Sequence, residues 1–213
     1  MTQARLFAAF RTYVGQTRCA AMVADLAAAG IGECTVRGEL PPRRQASWFH
    51  DNGAYTDFVA GRPFDYLRWS RDMRAIRMWC ERGELTRPDF VVVPDLVAQG
   101  AASLAFSLEH LAESRAAGAP CYLAVQDGMT VWQVRRALAH FDGIFVGGSL
   151  EWKLATAATW VRLGRQLRLP VHVGRVGTLD RVEWAAAIGA SSIDSSFPLW
   201  TRERLGAFVE AVR

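Results

Sequence analysis

The chain has 213 residues, 51% of them hydrophobic and 22% charged, with a formal net charge of +4. That is enough apolar material to bury one sizeable core, and no apolar run approaches the roughly 18 residues needed to span a bilayer. The opening stretch MTQARLFAAFRTYVGQ has too short an apolar core for a secretory signal, so a cytoplasmic protein with no membrane partner is expected. Four cysteines, Cys19, Cys34, Cys80 and Cys121, are scattered singly with no C-x-x-C pair, which indicates neither a disulfide framework nor a structural zinc.

Short apolar runs alternate with longer amphipathic ones along the chain. The first predicted strand is RLFAAF (5–10), followed by a weaker CTVRG (34–38) and SWFHD (47–51). Between Arg62 and Arg87, Arg68, Arg71, Arg74 and Arg77 recur every third residue. On a helix these side chains drift slowly around one side, either as a solvated face or as a track for a nucleic-acid backbone to which Lys153, the single lysine among 25 basic residues, adds a further charge. Arginine is the side chain best suited to bidentate phosphate contact, although a general arginine excess also follows from a GC-rich genome.

The later predicted strands are FVVVPD (90–95), YLAVQ (122–126), GIFVGG (143–148), VHVGRV (171–176) and SSID (191–194). Helical segments separate them. TVWQVRRAL opens with Thr130 and carries Gln133 three residues later, a capping box. TLDRVEWAAAIGA opens at Thr178 with Asp180 in its first turn and stops near Gly189.

About eight strand–helix units favour a closed (β/α)8 TIM barrel, here a compact single domain over residues 1–213. In such a barrel the strand C-termini face the active site, and polar residues collect there. Asp51 ends the third run, Asp95 the fourth, Gln126 and Asp127 the fifth, Gly147 and Gly148 the sixth, Arg175 the seventh and Asp194 the eighth. An aspartate after a strand is often only a cap or turn residue, but three at corresponding strand ends point to chemistry. The glycines of GIFVGGS serve equally as a close-packing turn, a phosphate cradle or a backbone donor beside a planar ring.

FHDNGAY, VVPDLV, LAVQDG, FVGGS, VGRVGT and SSIDSSFPLW stand in the order and approximate spacing of motifs in the guanine transglycosylase superfamily, which this chain resembles from Trp48 to Trp200. Its tRNA members exchange guanine for a 7-deazaguanine base. FVGGSLEWK and the short length are closest in look to the phage and bacterial relatives that place deazaguanines in DNA. The chain departs from the tRNA enzymes by PLW for PTR, by DNGAY for DSGGF, and by His172 and Arg175 where the family has apolar and glycine residues. It also lacks their cysteine-rich zinc site.

The resemblance implies a pentosyltransferase that replaces guanine in DNA with a preQ0-like base, without metal or cofactor, in a bacterium or a phage-infected one. Asp194 stands at the nucleophile position and Asp51 at the carboxylate that manages the base's proton. Asn52, Gly53 and Tyr55 fall in the base-contacting motif. Asp95 and Gln126 match residues that read the guanine edge, Gly147 or Gly148 the backbone donor to the guanine carbonyl, and Arg175 lies beside the base. The chemistry is coherent on its own terms: splitting a sugar–base bond passes through an oxocarbenium-like state that one carboxylate traps while another handles the leaving base. Two other readings fit the residues, a barrel acting on a small phosphorylated metabolite through VGGS and a non-catalytic nucleic-acid-binding barrel.

Overall fold

The structure, a computed structural model, describes residues 10–40 and 47–212. Eight parallel strands close into a barrel in sequence order, β1 (Arg11–Gly15), β2 (Gly32–Val36), β3 (Trp48–Asp51), β4 (Val91–Val92), β5 (Cys121–Val125), β6 (Gly143–Val146), β7 (Val171–Val173) and β8 (Ser192–Ser195). Closure comes from β1, which sets Tyr13 opposite Gly32 of β2 on one side and Asp194 of β8 on the other. Around it run eight α-helices among the described residues: α1 (Ala20–Ala28), α2 (Ala54–Val59), α3 (Tyr66–Glu81), α4 (Gly100–Ser114), α5 (Val131–Arg135), α6 (Leu150–Leu167), α7 (Leu179–Ile188) and α8 (Arg202–Ala211). No helix among the described residues is long and apolar enough to cross a membrane. The expected (β/α)8 barrel is therefore the fold.

Seven of the eight predicted strands lie within a few residues of an observed one. The exception is the first. Residues 5–9 of that prediction lie outside the described residues, and β1 is RTYVG, just after the apolar run. Polar Arg11 and Thr12 hide this strand from a hydrophobicity reading, yet Arg11 and Tyr13 are needed to bind Asp89. FVVVPD pairs in the ladder only at Val91 and Val92, with Val93 N–H still donating to Tyr122 O beyond it. The three helix ends read from the sequence hold: Thr130 and Gln133 form the capping box, and Thr178 caps α7, which stops at Gly189 with φ +82°.

Alternation along the strands produces two cores. Outward side chains such as Trp48, Leu123, Ile144 and Ile193 pack under the helices. Inward ones, Tyr13, Phe49, Phe90, Tyr122 and Phe145 among them, fill the barrel. Tyr122, Phe90 and Phe49 stack in succession, with ring centroids 4.0 and 4.5 Å apart. At the strand N-termini Asp89 accepts hydrogen bonds from Arg11, Tyr13 and Ser47 and closes that end. The polar strand ends gather at the opposite mouth.

Two buried polar contacts outside the barrel hold the mouth loops in place. His50 faces outward, where Nδ1 meets Thr35 Oγ1 at 2.8 Å and Nε2 lies 3.4 Å from Asp72 of α3. Arg37, just after β2, pairs with Asp57 of α2 at 2.6 Å, both side chains almost fully buried. The pair fixes α2, and hence Tyr55, over the mouth.

Aromatic filling of the barrel requires glycine on facing strands. A methyl group on Gly32 would lie 2.6 Å from the Tyr13 ring, inside van der Waals contact. Gly32→Ala is expected to lower stability by about 1–3 kcal/mol through overpacking, read by urea denaturation; unchanged stability would show that the ring can move aside.

Candidate functional site

Asp194 is the third residue of β8, and its side chain points into the barrel beside that of Ser192. His172 of β7 lies beneath it, fully buried and stacked on Phe145 with centroids 4.9 Å apart and planes 15° from parallel. Its Nδ1 meets Ser192 Oγ at 2.8 Å and its Nε2 meets Asp194 Oδ1 at 2.9 Å. A carboxylate only accepts, so Nε2 donates to Asp194, and in the neutral imidazole Nδ1 then accepts a hydrogen bond from the Ser192 hydroxyl. The Arg175 backbone N–H donates to the same Oδ1 at 3.1 Å. Asp194 Oδ2 has no hydrogen-bond partner among the described residues. One oxygen is anchored by the protein and the other is not.

Arg175 reaches this position with φ +55°, a left-handed conformation that costs a non-glycine residue energy. Three contacts hold it there: the N–H to Asp194, Nη2 to Gly148 O at 2.7 Å, and the guanidinium 3.6 Å above the Tyr55 ring. Gly174 precedes it because a methyl there would stand 2.6 Å from Phe145.

Asp51 ends β3, and its Oδ1 accepts the Gly53 N–H at 2.7 Å, a turn that Gly53 completes at φ +74°. Burial raises the Asp51 carboxyl above the usual carboxylate range; the Gly53 hydrogen bond opposes this, and the negative charge of Asp194 adds to it. Next to it, Asp95 is gripped by two amides. Asn52 Nδ2 donates to Oδ1 and Gln126 Nε2 to Oδ2, both at 2.7 Å. Burial pushes Asp95 up to about 6, while the Asn52 and Gln126 bonds hold it back.

Most of the residues read from the sequence converge here. Asp51, Asn52, Tyr55, Asp95, Gln126, Gly147, Gly148 and Arg175 line one small cleft at the mouth, and Asp194 joins it through Arg175. Within this group the structure refines several expected roles. Gln126 spends its amide on the protein, donating also to Ser103 Oγ and Leu96 O and accepting from Ala98 N–H, so it aims Asp95 rather than offering a free edge. Asn52 does the same, bonding Val93 O and Ala54 N–H. Gly53 does not line the cleft; it shapes the turn. Gly147 N–H is bound to Val125 O in the strand ladder, whereas Gly148 N–H has no partner among the described residues. Of the two glycines, only Gly148 has a donor to give.

Lys153 does not join the arginine face. It sits in the first turn of α6, buried, with Nζ donating to Gly174 O at the barrel mouth. Its place one turn beyond the cap Ser149 turns it inward. Arg68, Arg71, Arg74 and Arg77 are exposed along α3 as read, with Arg74 near Glu113 and Arg77 paired to Glu81. At 1.5 Å rise per residue, Arg77 lies about 14 Å further along the helix from the mouth than Arg68.

Sequence reading marked His172 only as a departure from a motif, and placed Asp127 at the fifth strand end without giving it a role. Asp127 accepts Ser149 N–H at 2.7 Å and Ser149 Oγ at 2.6 Å, tying the loops after β5 and β6 together. Alternation was the available signal for His172: it shares inward parity with Gly174 on β7. No family model matches the chain, and no curated protein matches it significantly.

An aspartate raised to about 6 in the fold and near 3.8 when unfolded binds protons more tightly when folded. Its contribution to stability therefore falls as pH rises from about 4 to about 6. Carbon NMR titration of the Asp95 carboxyl is expected to give a midpoint near 6, moving higher in Gln126→Ala, which removes a bond to the ionised form; a midpoint near 4 contradicts the buried setting.

Proposed function

We propose that the protein is a guanine transglycosylase that exchanges guanine in DNA for a 7-deazaguanine base through a covalent intermediate on Asp194. The observation that carries this reading is the asymmetry of Asp194, with Oδ1 held by His172 and Arg175 and Oδ2 without a partner. The protein fixes Oδ1, while Oδ2, on a side chain partly exposed at the mouth, is left to a ligand or solvent. The resemblance from Trp48 to Trp200 supplies the reaction class, and the cleft supplies matching groups.

In the proposed mechanism Asp194 Oδ2 attacks C1′ of the target deoxynucleotide and the C1′–N9 bond breaks, its electron pair leaving with guanine. Gly148 N–H donates to the guanine carbonyl oxygen as charge builds in the ring. Ionised Asp95 accepts from the base's N–H edge, and the buried amides that aim it make a mismatched base costly. Asp51, in its protonated form, gives its proton to the departing base. The incoming deazaguanine returns its N9 proton to Asp51 and attacks C1′, restoring the Asp194 carboxylate. Tyr55 offers an aromatic face at the cleft. A target within a duplex has to be flipped out, since C1′ and the base edge cannot both be reached in the stack.

The phosphate-loop alternative is weakened because both the N–H and the hydroxyl of Ser149 in VGGS are taken by the Asp127 carboxylate. Exposed arginines on α3, nearest the mouth at Arg68 and Arg71, suit contact with flanking backbone.

The test is incubation with labelled preQ0 and guanine-containing DNA, or tRNA, followed by digestion to nucleosides. Label is expected in deoxynucleosides of DNA. Incorporation only into tRNA overturns the DNA assignment, and none into either overturns the reading. Asp194→Asn is expected to lower exchange by more than about 10³-fold and Asp51→Asn by about 10²–10⁴-fold, with the fold intact by circular dichroism.

A further inference from the structure

A second, wider cleft lies beside the base cleft, ≈ 900 against ≈ 420 Å³ with both open to solvent, and the two share Tyr55, Val97, Gly148 and Arg175 as a common wall. Its charge is of the opposite kind. Lys153, Arg175 and Arg181 line it, with Asp127 as its only carboxylate among the lining residues. Asp127 is already committed to Ser149; although burial raises it, those hydrogen bonds hold it below the usual carboxylate range. None of the three cations has a carboxylate within 4.0 Å among the described residues. Lys153 gives one N–H to Gly174 O and has two more to offer.

Three cations share the cleft with one carboxylate that is already committed to Ser149, and they repel one another. Burial, then the charges of Arg175 and Arg181, push Lys153 down to about 8, against the opposing pull of Asp194 and Asp127. An anion bound among them would relieve the repulsion and use the spare donors.

We propose that this cleft is a phosphate subsite in which Lys153, Arg175 and Arg181 bind the phosphate of the nucleotide whose base enters the neighbouring cleft. The inference rests on the transglycosylase reading for the identity of the base, but not for the phosphate. One sugar joins base to phosphate in a nucleotide, and here one wall joins the two clefts. The phosphate is held by side chains, not by the VGGS backbone, whose Ser149 N–H is occupied. The α3 arginines are then left for neighbouring phosphates.

Calorimetric titration with dGMP, deoxyguanosine and inorganic phosphate tests this on the wild-type protein, Lys153→Met and Arg181→Ala. The readout is the ratio of dGMP to deoxyguanosine affinity, because a variant that merely loosens the fold weakens both ligands and leaves the ratio alone. Wild type is expected to prefer dGMP by at least about tenfold, each variant to lose most of that preference, and inorganic phosphate to compete with dGMP but not with deoxyguanosine. A dGMP affinity no better than that of deoxyguanosine, including binding of neither, overturns the subsite, as does a preference that survives both substitutions. If the preference is present and lost in the variants while base exchange is absent, the subsite stands and the transglycosylase reading falls.

Discussion

The contact on which the rest of the site depends is the pair of hydrogen bonds to Asp194 Oδ1, from His172 Nε2 at 2.9 Å and from the Arg175 N–H at 3.1 Å. Each requires something of the barrel. For His172 to lie beneath the carboxylate, β7 and β8 must be in a register that sets His172 against Ser192, and Phe145 must present a flat face to the imidazole. For the Arg175 N–H to arrive, the chain must turn through a left-handed residue immediately after Gly174, where Phe145 leaves no room for a side chain. Packing in the middle of the barrel thus decides which carboxylate oxygen is left without a protein partner.

Charge is arranged around this contact with the same economy. Three carboxylates meet at the mouth, and each is treated differently: Asp194 is anchored by one oxygen, Asp51 is raised by burial and by its neighbour's charge, and Asp95 is aimed by two amides. Arg175 stands between this acidic cleft and the cationic one, bonded to Gly148 O and lying over Tyr55. A ligand that is a hydrogen-bonding base at one end and an anion at the other matches that division.

Much of this was legible in the sequence because a barrel converts a local pattern into a shared place. An aspartate ending one strand says little alone, but parallel strands closed in order bring Asp51, Asp95 and Asp194 to the same end. What escaped was whatever depends on direction rather than position. Lys153 looked like one more basic residue, and only the pitch of α6 turns it into the mouth. Gln126 looked like a reader of bases until its four hydrogen bonds were seen to go to the protein. β1 was hidden because Arg11 and Thr12 break up its apolar character, while exposed Arg11 and inward Tyr13 both bond Asp89 at the barrel floor.

The central claim is that Asp194 becomes covalently joined to the sugar. The most direct measurement is to mix the protein with a guanine-containing DNA oligonucleotide, quench in denaturant without added base, and determine the modified peptide by mass spectrometry. The account predicts a DNA strand lacking one guanine attached to the peptide that carries Asp194. Base exchange proceeding at full rate with no such adduct, or with the adduct on another residue, would contradict it.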